Sequence, residues 1–178
     1  PLRVLYAEHN PFDIDLTQRH LAQHAGHIRL EVVHGVTEVL DRLPDARREA
    51  LPYDVLLLDY RLPGFDALEA VKTLRDERAL DLPVVLVTGH GGEEVAARAL
   101  RLGVADYLVK HPGYLFELPA TLEKAHHQAE FMRQQAVLVE SEARFRHLME
   151  NMPTLAVQGY DRHRKVIFWN PASETLYG

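Results

Sequence analysis

The sequence predicts an α/β fold: a mostly parallel sheet with helices on both faces. Two observations carry this. Five short apolar runs alternate with segments of helical periodicity, and that alternation is the signature of repeated strand-helix units. The run Asp54-Val55-Leu56-Leu57-Leu58-Asp59 is apolar without alternation and is bounded by Tyr60-Arg61-Leu62-Pro63-Gly64, which reads as a central strand buried on both faces. Asp59 stands at the end of that strand, on the edge where open parallel sheets gather their chemistry.

The elements follow in order. Residues 2–7 form a first strand, and Glu8-His9-Asn10-Pro11 leads into a helix from about Phe12, with Leu16, Leu21 and Ala25 on its inner side and Gly26 as its stop. Residues 28–34 alternate Ile28, Leu30 and Val32 with polar residues, as a strand nearer the sheet edge does. A short helix occupies residues 36–43 and ends at Pro44. The third strand covers residues 53–58, and a helix capped by Asp66 runs to about Arg78. The fourth strand is residues 82–88, followed by the loop Gly89-His90-Gly91-Gly92 and a helix over residues 93–102. The fifth strand is residues 106–110.

Beyond His111-Pro112-Gly113 a helix continues far past the usual length, since residues 120–152 contain neither proline nor glycine. Leu118, Leu122, Ala125, Ala129, Met132, Ala136, Val139 and Ala143 recur at alternating spacings of four and three, a heptad seam that predicts a dimerising linker. Composition changes at Met152-Pro153. Residues 154–159 and 165–169 read as two strands joined at Asp161-Arg162-His163-Arg164, and Asn170-Pro171 opens a helix. A hairpin with one short helix cannot bury a core, so this segment is expected to be the start of a truncated domain.

Composition narrows the function. The 178 residues carry a formal charge of −6, which argues against nucleic acid as a direct partner. No apolar run approaches a membrane span. The absence of cysteine removes disulfide, thiolate and Cys-zinc chemistry, and with no signal peptide in view it points to a cytoplasmic protein.

The strand ends bring Glu8, Asp59, Thr88 and Lys110 to one edge, with His9 and Asp13 just past the first strand. Clustered carboxylates demand a cation, and a hard divalent ion on oxygen ligands is the usual answer. The set suits phosphoryl transfer to Asp59: Lys110 neutralises the phosphoryl oxygens and the Thr88 hydroxyl bonds one of them.

Over roughly residues 2–130 the chain resembles the receiver domain of two-component response regulators. The resemblance rests on Glu8, the Leu58-Asp59-Tyr60-Arg61-Leu62-Pro63-Gly64 signature, Thr88-Gly89 and Tyr107-Leu108-Val109-Lys110. It implies a CheY-like, flavodoxin-like (βα)5 doubly wound sheet of strand order 2-1-3-4-5. It also implies that Asp59 accepts a phosphoryl group from a histidine kinase or phosphotransfer protein, with Lys110 and Thr88 assisting and Thr88 and Tyr107 as the switch pair. Glu8, Asp59 and the Arg61 backbone carbonyl would hold Mg²⁺, with His9 or Asp13 as further ligands. Catalysis would be confined to the receiver's own phosphorylation and dephosphorylation.

Two positions depart from the family pattern. His9 stands where the family usually has a second acid, and imidazole is a poor Mg²⁺ ligand better matched to Zn²⁺ or Ni²⁺. His111 separates Lys110 from Pro112, where family members often place proline directly after the lysine in a cis peptide. The alternative is therefore a pseudo-receiver: the same fold acting as a phosphorylation-independent interaction or dimerisation module.

The segments Ser141-Glu142-Ala143-Arg144-Phe145-Arg146-His147-Leu148-Met149-Glu150-Asn151-Met152-Pro153 and Val166-Ile167-Phe168-Trp169-Asn170-Pro171-Ala172 resemble the opening of a PAS sensory domain. The expected organisation is a receiver core at residues 1–118, a signalling linker helix at 119–150 with Leu122, Ala125, Ala129, Met132, Ala136 and Val139 on its dimer seam, and a PAS fragment at 151–178. The pairs His20/His24 and His126/Glu130 have helical spacing for a shared metal but lack further ligands, and Gly89, Gly91 and Gly92 lack the Lys-Ser/Thr of a P-loop.

Overall fold

The computed structural model describes every residue except 45–49, 65, 90–92, 153–154 and 178. Five parallel strands, β1 (Leu2–Ala7), β2 (Ile28–Val33), β3 (Val55–Asp59), β4 (Val84–Thr88) and β5 (Asp106–Val109), lie in the order β2-β1-β3-β4-β5. They are joined by helices α1 (Pro11–His24), α2 (Val36–Arg42), α3 (Ala67–Asp76) and α4 (Glu93–Arg101), and followed by α5 (Tyr114–Glu150). This is the predicted doubly wound sheet, with β2 on the predicted edge.

The strand pleat divides the core into two layers, because successive side chains face opposite ways. Leu5, Ala7, Leu56, Leu58, Val84 and Leu86 pack with Val39 of α2, Leu68, Val71 and Leu74 of α3 and Ala99 of α4. Val4, Tyr6, Val55, Leu57, Val85, Val87 and Leu108 pack with Leu21 of α1 and with Leu115, Leu118, Leu122 and Ala125 of α5. Every residue of β3 and β4 is buried, as an unbroken apolar run in a parallel sheet requires.

Local signals set the helix ends. Asn10 caps α1 by accepting from the Phe12 N–H, and Pro11 takes the first helical position, where its missing N–H costs nothing. Asp66 caps α3 by accepting from the Leu68 N–H at 2.8 Å. Gly64 follows Pro63 with φ +85°, a conformation that explains glycine at that turn. One expected assignment is corrected: Leu16 is 52% exposed, and the buried stripe of α1 runs instead through Thr17 and Leu21 to Ala25. At about 100° per residue, Leu16 falls outside the arc set by those three.

The chain divides into two compact units, Pro1–Glu130 and Phe131–Gly178, and α5 contributes to both. α5 contains 37 residues and accommodates Pro119 in its second turn. Of the predicted seam, Leu118, Leu122 and Ala125 are buried against the sheet, whereas Met132, Ala136 and Val139 are exposed in the single chain.

In the second unit, β6 (Gln158–Tyr160) pairs antiparallel with β7 (Val166–Trp169), and α6 (Pro171–Tyr177) follows. β6 is shorter than the expected strand, whose first residue lies outside the described residues. The Asp161 carboxylate accepts from the N–H groups of His163 and Lys165 and so closes the hairpin turn. Asn170 is 1% exposed; its Oδ1 accepts from the Val157 and Ser173 N–H groups and the Ser173 hydroxyl, and its Nδ2 donates to the Met149 and Leu155 carbonyls.

Leu122 and Met132 occupy one predicted seam but different environments. In chemical denaturation of the monomer, Leu122→Ala lowers the unfolding free energy by about 2–5 kcal/mol. Met132→Ala, at a position 67% exposed, changes it by no more than about 0.5 kcal/mol.

Candidate functional site

The site is built where the ladders run past their strands at the carboxyl edge. The Glu8 N–H bonds the Val33 carbonyl, the Tyr60 N–H the Val87 carbonyl and the Lys110 N–H the Thr88 carbonyl, at 2.8–3.0 Å. Asp59 pairs in register with Val87, and Thr88 with Val109. Glu8, Asp59, Thr88 and Lys110, scattered over a hundred residues of chain, are thereby fixed along one edge.

Glu8 is fully buried. Its Oε1 accepts from the N–H groups of His9 and Asn10, both at 2.8 Å, and its Oε2 accepts from Lys110 Nζ at 2.6 Å. The same ammonium donates to Asp13 Oδ2 at 2.7 Å and lies 3.6 Å from Asp59 Oδ2. Burial works against the charge of Lys110. Hydrogen bonds to Asp13 and Glu8, with the charge of Asp59, outweigh it and hold its pKa above the ordinary lysine value. One ammonium is thus shared among three carboxylates.

Asp59 is 4% exposed, and its Oδ1 accepts a long hydrogen bond, 3.4 Å, from the Arg61 N–H. Burial pushes its pKa up, and neighbouring Glu8 adds to the rise while Lys110 opposes it. Arg61 enters the site through this N–H. Thr88 is fully buried. The Tyr107 side chain lies near Thr88, and burial of its hydroxyl raises its pKa. Peptide bonds among the described residues are all trans, including the one between His111 and Pro112.

His9, with its side chain 43% exposed, has Nδ1 3.3 Å from Glu8 Oε1. Glu8, His9 and Asp59 each place a ligand atom within 4.8 Å of the other two. This donor set corrects the expectation of Mg²⁺: the third side chain is an imidazole where a hard, octahedral cation needs oxygen. Lys110 offsets part of the carboxylate charge that was to recruit the ion. Sequence reasoning placed every one of these residues at the edge. It assigned Lys110 to a phosphoryl group and missed both the Lys110–Asp13 bond and the double N–H clasp on Glu8, whose only local signal is the capping dipeptide Asn10-Pro11.

A five-stranded parallel sheet of this order, with acids and a lysine at its carboxyl edge, defines a flavodoxin-like α/β module, and the response regulator receiver domain family matches residues 4–117. The chain belongs to that family. It is 40% identical over 95 residues to the cyclic di-GMP phosphodiesterase response regulator RpfG of Xanthomonas campestris, a stretch covering 52% of this chain and 25% of that protein. It is 36% identical over 84 residues to the chemotaxis protein CheY1 of Helicobacter pylori, covering 46% and 62% respectively. The chain therefore spans less than two thirds of the length of these relatives. Among solved structures, a Francisella response regulator 1452 receiver domain superposes with a TM-score of 0.60 at 22% identity, over 72% of this chain and 98% of that one. A sensor protein from Polaromonas sp. JS666 gives 0.59 at 27% identity with the same coverage. The family match ends before most of α5 and does not reach the hairpin. No helix among the described residues is long and apolar enough to cross a membrane.

The raised pKa of Asp59 has a sign. A carboxyl whose folded pKa lies above its unfolded value takes up protons on folding. Its charge therefore costs stability at neutral pH, and the cost vanishes as pH falls through the folded and then the unfolded pKa. Asp59→Asn is expected to raise the Tm at pH 7, with the gain shrinking in acid; a Tm below the parent's at pH 7 contradicts this.

Proposed function

We propose that this chain is a receiver-fold signalling module that works through protein–protein contact without phosphorylation of Asp59. The observation that carries this reading is the occupation of the acidic pocket by Lys110, bonded to Glu8 and Asp13 at 2.6 and 2.7 Å, beside an imidazole at position 9. Aspartyl phosphorylation needs positive charge free to stabilise the phosphoryl oxygens as they transfer. Here the ammonium is spent on carboxylates, and His9 removes a hard ligand.

A second reading is favoured by the position of Asp59 at the end of β3, 3.6 Å from Lys110 and on the same edge as Thr88. It is the phosphorelay one, with a histidine kinase or phosphotransfer protein as donor and Thr88 and Tyr107 as the responding pair. Incubation with acetyl phosphate and Mg²⁺, followed by mass spectrometry, decides between them. The interaction-module reading expects no phosphoryl gain on the parent chain and a gain on His9→Asp. An acid-labile gain on the parent that Asp59→Asn abolishes would falsify it.

The proposed route of contact is α5. Met132, Ala136 and Val139 are exposed in the single chain, and Phe131, Val137 and Leu138 beside them are also more than half exposed. Pairing with a second copy along this seam buries Met132, Ala136 and Val139. In this reading residues 1–118 are the receiver core, 119–150 the linker, and 151–178 the opening of a PAS-type domain, supported by the hairpin-then-helix order of β6, β7 and α6. Sedimentation is expected to give a concentration-dependent dimer, lost in Met132→Glu/Val139→Glu; a monomer at all concentrations counts against the seam.

A further inference from the structure

The opposite edge of the sheet carries a second cluster. Where β1 and β3 begin, a cavity of about 560 Å³ is lined by Arg3 and Asp54, by His27 from the turn between α1 and β2, and by Glu123, His126 and His127 of α5. We infer that His27, Glu123 and His126 form a binding site for a borderline divalent transition ion, with Zn²⁺ the ion best matched to them. His27 Nε2 and Glu123 Oε1 already stand 2.6 Å apart. Bonds of about 2.0–2.2 Å to a tetrahedral ion place two such ligands roughly 3.3 Å from each other, so a small spreading of the pair admits the ion. Two imidazoles and one carboxylate are a set that Zn²⁺ accepts, with a fourth position left to water.

A second, independent observation concerns His126. Its Nδ1 is buried without a hydrogen-bond partner, and a ring nitrogen withdrawn from water in that way lacks the bond it would make in solvent. Helical spacing alone pairs His126 with Glu130; the fold sets it instead at a cavity shared with His27 and Glu123. The three donors are not gathered within 4.8 Å as the side chains stand. Rotation of the His126 side chain closes the set, because residues three apart on a helix are neighbours with Cβ atoms about 5–6 Å from each other. Asp54 supports the site from beside His126. Arg3 donates to its carboxylate from both its N–H and its guanidinium at 2.8 Å. Burial works against the charge of Asp54, but the bonds from Arg3 and the charge of His126 hold its pKa below the ordinary carboxylate value. A carboxylate next to a ligating imidazole orients the ring and raises its basicity. The Arg3 guanidinium, the one permanent cation among these side chains, is already committed to Asp54. The inference stands apart from the phosphorylation question, because these residues lie at the other edge of the sheet from Asp59.

The test uses the full chain, stripped with a chelator and titrated calorimetrically with Zn²⁺. The expected result is a Zn²⁺ site whose affinity falls by about tenfold or more in each of His27→Ala, Glu123→Gln and His126→Ala. Saturating Zn²⁺ should also raise the Tm of the parent chain, since the ion binds the folded state, and His126→Ala should lose that rise. Circular dichroism confirms that each variant is folded. Two variants are the internal controls and should leave the affinity unchanged: His9→Ala, which removes the imidazole at the carboxyl edge, and His127→Ala, which removes the other α5 imidazole of the cavity. Absence of Zn²⁺ binding, affinity indifferent to Glu123→Gln or His126→Ala in a folded variant, or loss of binding in His9→Ala or His127→Ala would each overturn the inference.

Discussion

The first unit is organised around the charge of Lys110. Three carboxylates, from the turn after β1, from α1 and from the end of β3, converge at the carboxyl edge of the sheet, and Glu8 and Asp59 among them are buried. Without a cation at their centre, desolvation and mutual repulsion would raise the energy of the folded state by several kcal/mol. Lys110 supplies that cation from the end of β5, with only 13% of its side chain exposed. The bridge also links the turn after β1 to the end of β5, two strands that do not pair with each other in the sheet.

In the interaction-module reading proposed above, that balance sets this pocket apart from one prepared for phosphoryl chemistry. A lysine poised for a phosphoryl group must hold its positive charge in reserve, whereas Lys110 makes short bonds to Glu8 and Asp13 and leaves Asp59 at a greater distance. His9 alters the pocket in a second way. It adds a nitrogen donor to the rim of a site otherwise made of oxygen, so fold membership and site chemistry diverge: residues 4–117 belong to the receiver family, and the donors follow a different preference.

The strands were legible because each is an apolar run bounded by turn residues, and the carboxyl-edge position of Asp59, Thr88 and Lys110 follows from topology alone. The misassigned inner face of α1 has a local cause. Leu16 is as apolar as Leu21, and only the angle set by Thr17, a polar residue buried beneath Tyr6, reveals which face turns inward. The Mg²⁺ expectation failed at His9, a departure visible in the sequence itself, whose imidazole stands with Glu8 and Asp59 in the donor set. Sequence shows which charges meet at an edge but not which of them neutralises which, and the partners Glu8 and Lys110 lie 102 positions apart. Asp13 was noted as a carboxylate one turn into α1; its reach to Lys110 depends on the placement of the helix over the sheet, which no local pattern encodes.

Asn170 gives the second unit an all-or-none character. A hairpin of three- and four-residue strands has little stability of its own. The carboxamide of Asn170 ties the last turn of α5, the approach to β6 and the start of α6 together through five hydrogen bonds that saturate its donors and load its acceptor. None of these segments can leave its place without stripping partners from a buried amide. Amide protons around it are therefore released to solvent by one shared opening event, and the hairpin has no independent life apart from the helix end to which it is fastened.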